Sequence, residues 1–312
     1  PLMCVVDRST IYRKRIARKR LSTVHRWAWH IGVVLTMPAR PLGIAERQAV
    51  ERVLDREPFA GAQVAERIRI HGLGWWRSDG RVLGYGPRRR LEALCWFGAN
   101  VIPVGATPAS VAAFAEAVGG EPRRCTSMVG PADGVLGLWE HLASAWGPAR
   151  EIRATQPLLA TSDPPRARPD PAVRLVGPDE EGLLYPASVA MYTEEVGVSP
   201  LDEDGGRGYR QRIADLVRTR RAYARFVDGT VVFKAELAVV TRHTAQIQGV
   251  WVAPGWRGRG LGTAGVAAVV QDALRRVAPS VSLYVNDFNL PARSAYARCG
   301  FRQVGTFATV LF

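Results

Sequence analysis

Apolar positions recur at helical spacing over residues 45–72, at Val50, Val53, Leu54, Val64 and Ile68, and predict a helix broken at Pro58. Short apolar runs then predict strands over 81–87, 91–105 and 124–129, with helices over 107–118 and 132–146 and a last strand over 151–160. Residues 161–172, TSDPPRARPDPA, hold four prolines among alternating charges, which forbids both a helix interior and a central strand, so they read as a linker. Beyond it the pattern predicts a strand over 173–176, helices over 181–194 and 208–221, and strands over 222–227, 231–240 and 246–252. A strongly apolar helix follows over 260–277, then a strand over 281–285, a short helix over 292–299 closed by Gly300, and a final strand over 303–311. Residues 91–160 and 246–312 share one order, strand, helix, strand, helix, strand, which reads as an internal structural duplication.

At 312 residues the chain is long enough for two domains, and its balance of 47% hydrophobic and 22% charged residues is that of a globular protein rather than a disordered one. No apolar stretch approaches the roughly 20 residues that span a bilayer, so an integral membrane protein is not expected. The net charge of +14 is uneven: residues 1–36 hold eight basic side chains against Asp7 alone. Residues 1–40 therefore read as a solvated, disordered lead, which a start placed too far upstream, with initiation near Met37, would also explain. With few aromatics interleaved, this arm gives a nucleic-acid partner little support. Cys4, Cys95, Cys125 and Cys299 are scattered, as are the five histidines, so neither a metal site nor a disulfide framework is expected, and reduced thiols point to the cytoplasm.

Chemistry concentrates in residues 246–265, QIQGVWVAPGWRGRGLGTAG, where a strand passes through a Pro-Gly turn into closely spaced glycines that open a helix. Gly258, Gly260 and Gly262 have no Cβ, so main-chain N–H groups can converge on an anion, and the helix N-terminus adds about half a positive charge. Arg257 and Arg259 supply side-chain charge beside this cradle. A P-loop is excluded because no G-x-x-x-x-G-K-[ST] can be read. Residues 260–265 satisfy G-x-G-x-x-G, but too little chain follows for a doubly wound dinucleotide fold.

Arg257-Gly258-Arg259-Gly260-Leu261-Gly262, preceded by Val250-Trp251-Val252-Ala253-Pro254, resembles the coenzyme-binding signature of the GNAT acyl-CoA N-acyltransferases. Asn289, Ala292, Tyr296, Gly300 and Phe301 fit a second family block, N-x-x-A-x-x-x-Y-x-x-x-G-F. The resemblance is clearest over 231–312, extends from 173, and is architectural before the linker; the domain pairing resembles an actinobacterial two-domain group. It implies an α/β (α+β) fold of two GNAT-like domains, each a mixed, mostly antiparallel twisted sheet flanked by helices. Residues 41–160 would be a degenerate domain that binds no coenzyme, and 173–312 the catalytic one.

The resemblance further implies acetyl-CoA as co-substrate, without a metal, and direct transfer to a primary amine on a small molecule, peptide or protein. The loop from Arg257 to Thr263, including Leu261, would bind the pyrophosphate, Val250, Trp251 and Val252 the pantetheine arm, and Asn289 that arm from the other side. Tyr296 would be the general acid. The family's usual base position holds Gln246, which accepts no proton at neutral pH, leaving Glu236, Glu194 and Glu195, of which Glu195 is favoured. A coenzyme-binding module without catalysis is the alternative. Glu194, Glu195, Asp202, Glu203 and Asp204 form an acidic group that suggests a cationic acceptor.

Overall fold

The computed structural model describes residues 37–74, 80–202 and 204–312. The basic lead over 1–36 and the acid Glu203 lie outside them. Among the described residues no helix is long and apolar enough to cross a membrane.

The amino half begins with β1 (Arg40–Pro41), then α1 (Arg47–Arg56) and α2 (Ala62–His71), which bury Val50, Val53, Leu54 and Val64 on either side of Pro58. Next come β2 (Gly80–Tyr85), β3 (Ala93–Gly98), β4 (Asn100–Val104), α3 (Pro108–Gly119), β5 (Ser127–Pro131), α4 (Ala132–Trp146) and β6 (Glu151–Thr161). The apolar run over 91–105, expected as one strand, is a hairpin that doubles back at Ala99 and pairs Phe97 with Val101. A continuous apolar run does not reveal a reversal whose two arms are both buried.

The carboxyl half contains β7 (Arg174–Leu175), α5 (Glu181–Val196), α6 (Arg207–Arg218), β8 (Ala222–Val227), β9 (Thr230–Val240), β10 (Ala245–Val252), α7 (Leu261–Arg276), β11 (Val281–Tyr284), α8 (Leu290–Cys299) and β12 (Arg302–Leu311). The proline-rich segment between the halves is held against the carboxyl half. Arg166 N–H donates to Cys299 O, Asp170 N–H to Ala264 O, and the Asp170 carboxylate accepts from Arg225 at 2.6 Å.

All twelve strands form one sheet, in the order β1-β2-β3-β4-β5-β12-β6-β11-β10-β9-β8-β7. The two halves have exchanged their last strands. β6, expected to close the amino half, pairs antiparallel with β11 and β12 and not with β5. β12 takes the place beside β5, from Phe307 opposite Pro131 to Leu311 opposite Ser127. Strand alternation sends Ala308 and Val310 into the core under α3 and α4, and Phe307 into the core under α1 and α2. Two further cores lie under α7 and α8, and under α5 and α6.

The exchange predicts that a chain shortened to residues 173–312, which retains every helix of the carboxyl half but loses β6, does not fold cooperatively. Thermal unfolding followed by circular dichroism checks this, and a single cooperative transition would contradict it.

Candidate active site

β10 and β11 run parallel, but they pair only at Ala245–Val281 and Gln246–Ser282 before separating. On its other side β10 carries an irregularity between Gln248 and Trp251 in its pairing with β9. Gly249 lies within it at φ 57°, and a Cβ there would fall 3.0 Å from Lys234 Nζ. Only glycine fits this bend. Beyond it Trp251 pairs with Lys234, and Ala253 N–H donates to Val232 O. By strand alternation the peptide groups of Val250 and Val252 therefore face away from β9, into the gap beside β11.

The glycine loop stands at the end of β10. Gly258 and Gly260 have φ of 75° and 80°, and a Cβ at either would meet nothing within 4 Å. These glycines are required by backbone conformation, and the space over them is open. No main-chain N–H from Gly258 to Thr263 donates to another group among the described residues; the first bond of α7 is Ala264 N–H to Gly260 O. Six amides at one helix N-terminus thus remain available to an anion. Gly262 and Gly265 sit on the helix side, and a Cβ on Gly265 would come within 2.6 Å of the Phe233 ring, which fixes how closely α7 lies on the sheet.

The two loop arginines are placed differently from the sequence expectation. Arg257 Nε donates to Val252 O at 3.0 Å and its Nη2 to Glu194 Oε2 at 2.7 Å, while Trp251 Nε1 also donates to that carboxylate oxygen. Arg257 therefore ties the loop to α5 and occupies one carbonyl of the β10 edge. The Arg259 guanidinium stacks over the Trp256 ring at 5.2 Å.

Between the separating strands lies a cavity of about 380 Å³, lined by Glu195 and Met191 of α5, Gln248 to Trp251 of β10, Tyr284 of β11, and Tyr296 and Asn289 of α8. The structure thus brings Tyr296, Glu195, Asn289, Val250 and Trp251 together. Tyr296 is 7% exposed, and its hydroxyl makes no hydrogen bond among the described residues. Burial, with the nearby Glu195 charge as the next cause, pushes this hydroxyl well above the usual phenol range, so it holds its proton at neutral pH. Asn289 caps α8, its Oδ1 accepting from Ala292 N–H at 3.2 Å.

Of the other candidate bases, Glu236 is fully buried. Burial alone would raise its pKa, but the charges of Arg212 and Lys234 outweigh that and bring it down to about 2. Arg212 donates to it at 2.5 Å and Lys234 at 3.3 Å. Such a carboxylate is a poor proton acceptor. Glu194 is lowered chiefly by its bond to Arg257. Glu195 is left facing the cavity. The supposed acidic group is dispersed as well: Asp204 accepts from Gly208 N–H at the start of α6, and Asp202 from Ser199 N–H. Gln246 is buried, and its Oε1 accepts from Gln63 of α2 and Gln248.

Several cavity residues escaped the sequence reading. Arg153 and Gln156 line it from β6, a strand of the amino half, and Arg153 donates to Glu195 O at 2.9 Å. Nothing in the sequence pairs that strand with this site. Lys234 was legible in principle, since Lys234 and Glu236 stand two apart in an otherwise apolar strand and so share one buried face.

The corresponding place in the amino half is closed. β4 and β5 are also parallel over only two residue pairs, Asn100–Ser127 and Val101–Met128. There the helix N-terminus is capped by its own side chains: Thr107 Oγ1 accepts from Ser110 N–H, and Ser110 Oγ from Thr107 N–H. A Cβ on Gly134, at the start of α4, would be 3.1 Å from Pro103 and from Ala106, so α4 packs directly over the divergence.

Residues 80–184 match a family model described as a domain of unknown function, and residues 187–301 match the acetyltransferase (GNAT) family. No curated protein matches the chain. Among solved structures, a Drosophila protein superposes with a TM-score of 0.62 at 13% identity, covering 88% of this chain and 98% of that one. A GNAT-family acetyltransferase from Colwellia psychrerythraea gives 0.52 at 10% identity over 88% and 100% of the two chains. A GCN5-related N-acetyltransferase from Sphaerobacter thermophilus gives 0.51 at 16% identity over 87% and 94%. At these identities the superpositions establish the fold, and the similarity to the GNAT acetyltransferase family lies in residues 187–301 of the carboxyl half.

Proposed function

We propose that the carboxyl half transfers an acetyl group from acetyl-CoA to a primary amine by direct attack in a ternary complex. The observation that carries this reading is the run of unbonded amides from Gly258 to Thr263 beside a strand edge left free by the divergence of β10 and β11. An extended diphosphate-bearing arm needs both: amides for its charge, and strand peptide groups, here those of Val250 and the N–H of Val252, for its own amides. Asn289 and Trp251 flank the arm.

Glu195 takes the proton from the attacking ammonium, directly or through one water. The freed nitrogen lone pair forms the N–C bond at the thioester carbonyl as the C–S bond breaks, Tyr296 gives its proton to the departing thiolate, and the new amide nitrogen returns its surplus proton to the Tyr296 oxygen. The raised pKa of Tyr296 keeps that proton in place until the thiolate appears. The amino half binds no coenzyme, because its corresponding helix is already capped and its divergence covered. The described cysteines, Cys95, Cys125 and Cys299, are free and buried, which suits a cytoplasmic setting.

Release of coenzyme A thiol in the presence of a panel of primary amines tests the reaction. Coenzyme binding with no thiol release from any amine would favour the binding-module reading instead. Tyr296→Phe is expected to lower kcat by about 100-fold or more while acetyl-CoA affinity changes little, and Glu195→Gln to lower kcat by a similar factor. Titration calorimetry should give one coenzyme per chain.

Glu236 has a structural role in this reading. Glu236→Gln leaves Lys234 and Arg212 without their shared carboxylate and is expected to cost about 3 kcal/mol of stability in denaturant unfolding. Because the folded-state pKa of Glu236 lies below its ordinary value, its contribution is fully present above about pH 4.5 and is lost as pH falls through about 2.

A further inference from the structure

A second cleft, of about 620 Å³, opens between α2 of the amino half and α6 of the carboxyl half, over the Ala238–Val239 end of β9. Its inner end is Gln248, which also lines the cavity between β10 and β11. The smaller cavity must hold the thioester end of the arm, so the body of a second substrate present at the same time needs separate space, and this cleft adjoins the reacting end.

The charge of the cleft indicates what it takes. Its described lining holds five arginines, Arg67, Arg69, Arg212, Arg218 and Arg221, against Glu66 and Asp215. Glu66 is 6% exposed and is used internally, accepting from Arg221 at 2.6 Å and from Val240 N–H at 3.2 Å, bonds that tie α2 to the carboxyl half. Arg212 is drawn inward to Glu236. Arg69 on one helix and Arg218 on the other stay at the mouth, with side chains 59% and 73% exposed. Among the described residues each has only a contact three residues away on its own helix, Arg69 with Glu66 at 3.5 Å and Arg218 with Asp215 at 3.1 Å. The Arg218–Asp215 pair is exposed on both sides and weak, and the Arg69 contact is long and made to a carboxylate oxygen that Arg221 already holds at 2.6 Å, so both guanidiniums can turn to a better anion. A guanidinium presents a planar fork of N–H donors that matches a carboxylate or phosphate.

Resting on the acyl-transfer reading above, we infer that this cleft anchors the acceptor, and that the acceptor is a primary amine carrying a carboxylate or phosphate group at its far end. The amine reaches past Gln248 toward Glu195, while the anionic group stays between Arg69 and Arg218. Of the acidic residues that suggested a cationic acceptor, Glu194 is bound to Arg257, and Asp202 and Asp204 accept from main-chain N–H groups of nearby turns, so none of these three lines the cleft.

Titration calorimetry on protein saturated with coenzyme A tests the inference without turnover. Phosphoethanolamine should bind about ten-fold or more tightly than ethanolamine, and the double variant Arg69→Glu, Arg218→Glu should bring the two amines to equal affinity. Arg88→Glu, an exposed charge change in the β2–β3 turn, should keep the preference. Equal binding of the two amines by the unaltered protein, tighter binding of 1,6-diaminohexane, or a preference that survives in the double variant would each overturn the anionic cleft. Failure of coenzyme A to bind at all would overturn the acyl-transfer reading instead.

Discussion

The ladder between β6 and β12 is the contact on which the rest of the molecule depends. It runs from Arg302 opposite Ala160 to Leu311 opposite Glu151, and it lies at the centre of the sheet, where neither half owns both strands. Each half is completed by backbone hydrogen bonds to a strand of the other. Because β6 also forms the far side of the β11 ladder, the amino half stands directly against the candidate active site. Arg150 and Arg153 then donate to the carbonyls of Val196 and Glu195, satisfying the last turn of the helix that presents Glu195.

The two halves show how one architecture is made open or closed. Both contain a parallel pair that separates after two residues, and both follow it with a helix whose N-terminus points at the separation. In the carboxyl half, glycines at positive φ leave the amides bare and the gap stands open. In the amino half, Thr107 and Ser110 satisfy the same kind of amides, and α4 lies across the gap through Gly134. The difference is a few side chains at each helix start, and it decides which half has unbonded amides beside an open gap.

The glycine loop, the tyrosine of α8 and most element positions were legible because each depends on local sequence: positive φ demands glycine, a capped helix ends at Gly300, a strand alternates. The exchange of β6 and β12 was not legible, since alternation tells which face of a strand is buried and nothing about which strand lies beside it. Arg153 and Gln156 were hidden for that reason. The bonds of Arg257 to Glu194 and Val252 O were not legible, because a charge beside a phosphate-type loop is equally able to bond a neighbouring helix. The acidic group read as a recognition surface breaks up for a similar reason, because short acidic side chains next to a helix start are drawn to its free amides.

The position of β12 in the chain order also bears on how the polypeptide matures. Emerging from the ribosome, the amino half presents β5 with one bare edge and β6 with two, and none of the three finds its partner until β11 and β12 have been made. Nearly half the protein must be synthesised while those edges wait, which exposes them to pairing with other nascent chains. The outer strands of each half can pair early, but the centre of the sheet closes only late, so chaperones that shield bare strands should bear on the yield of that last step.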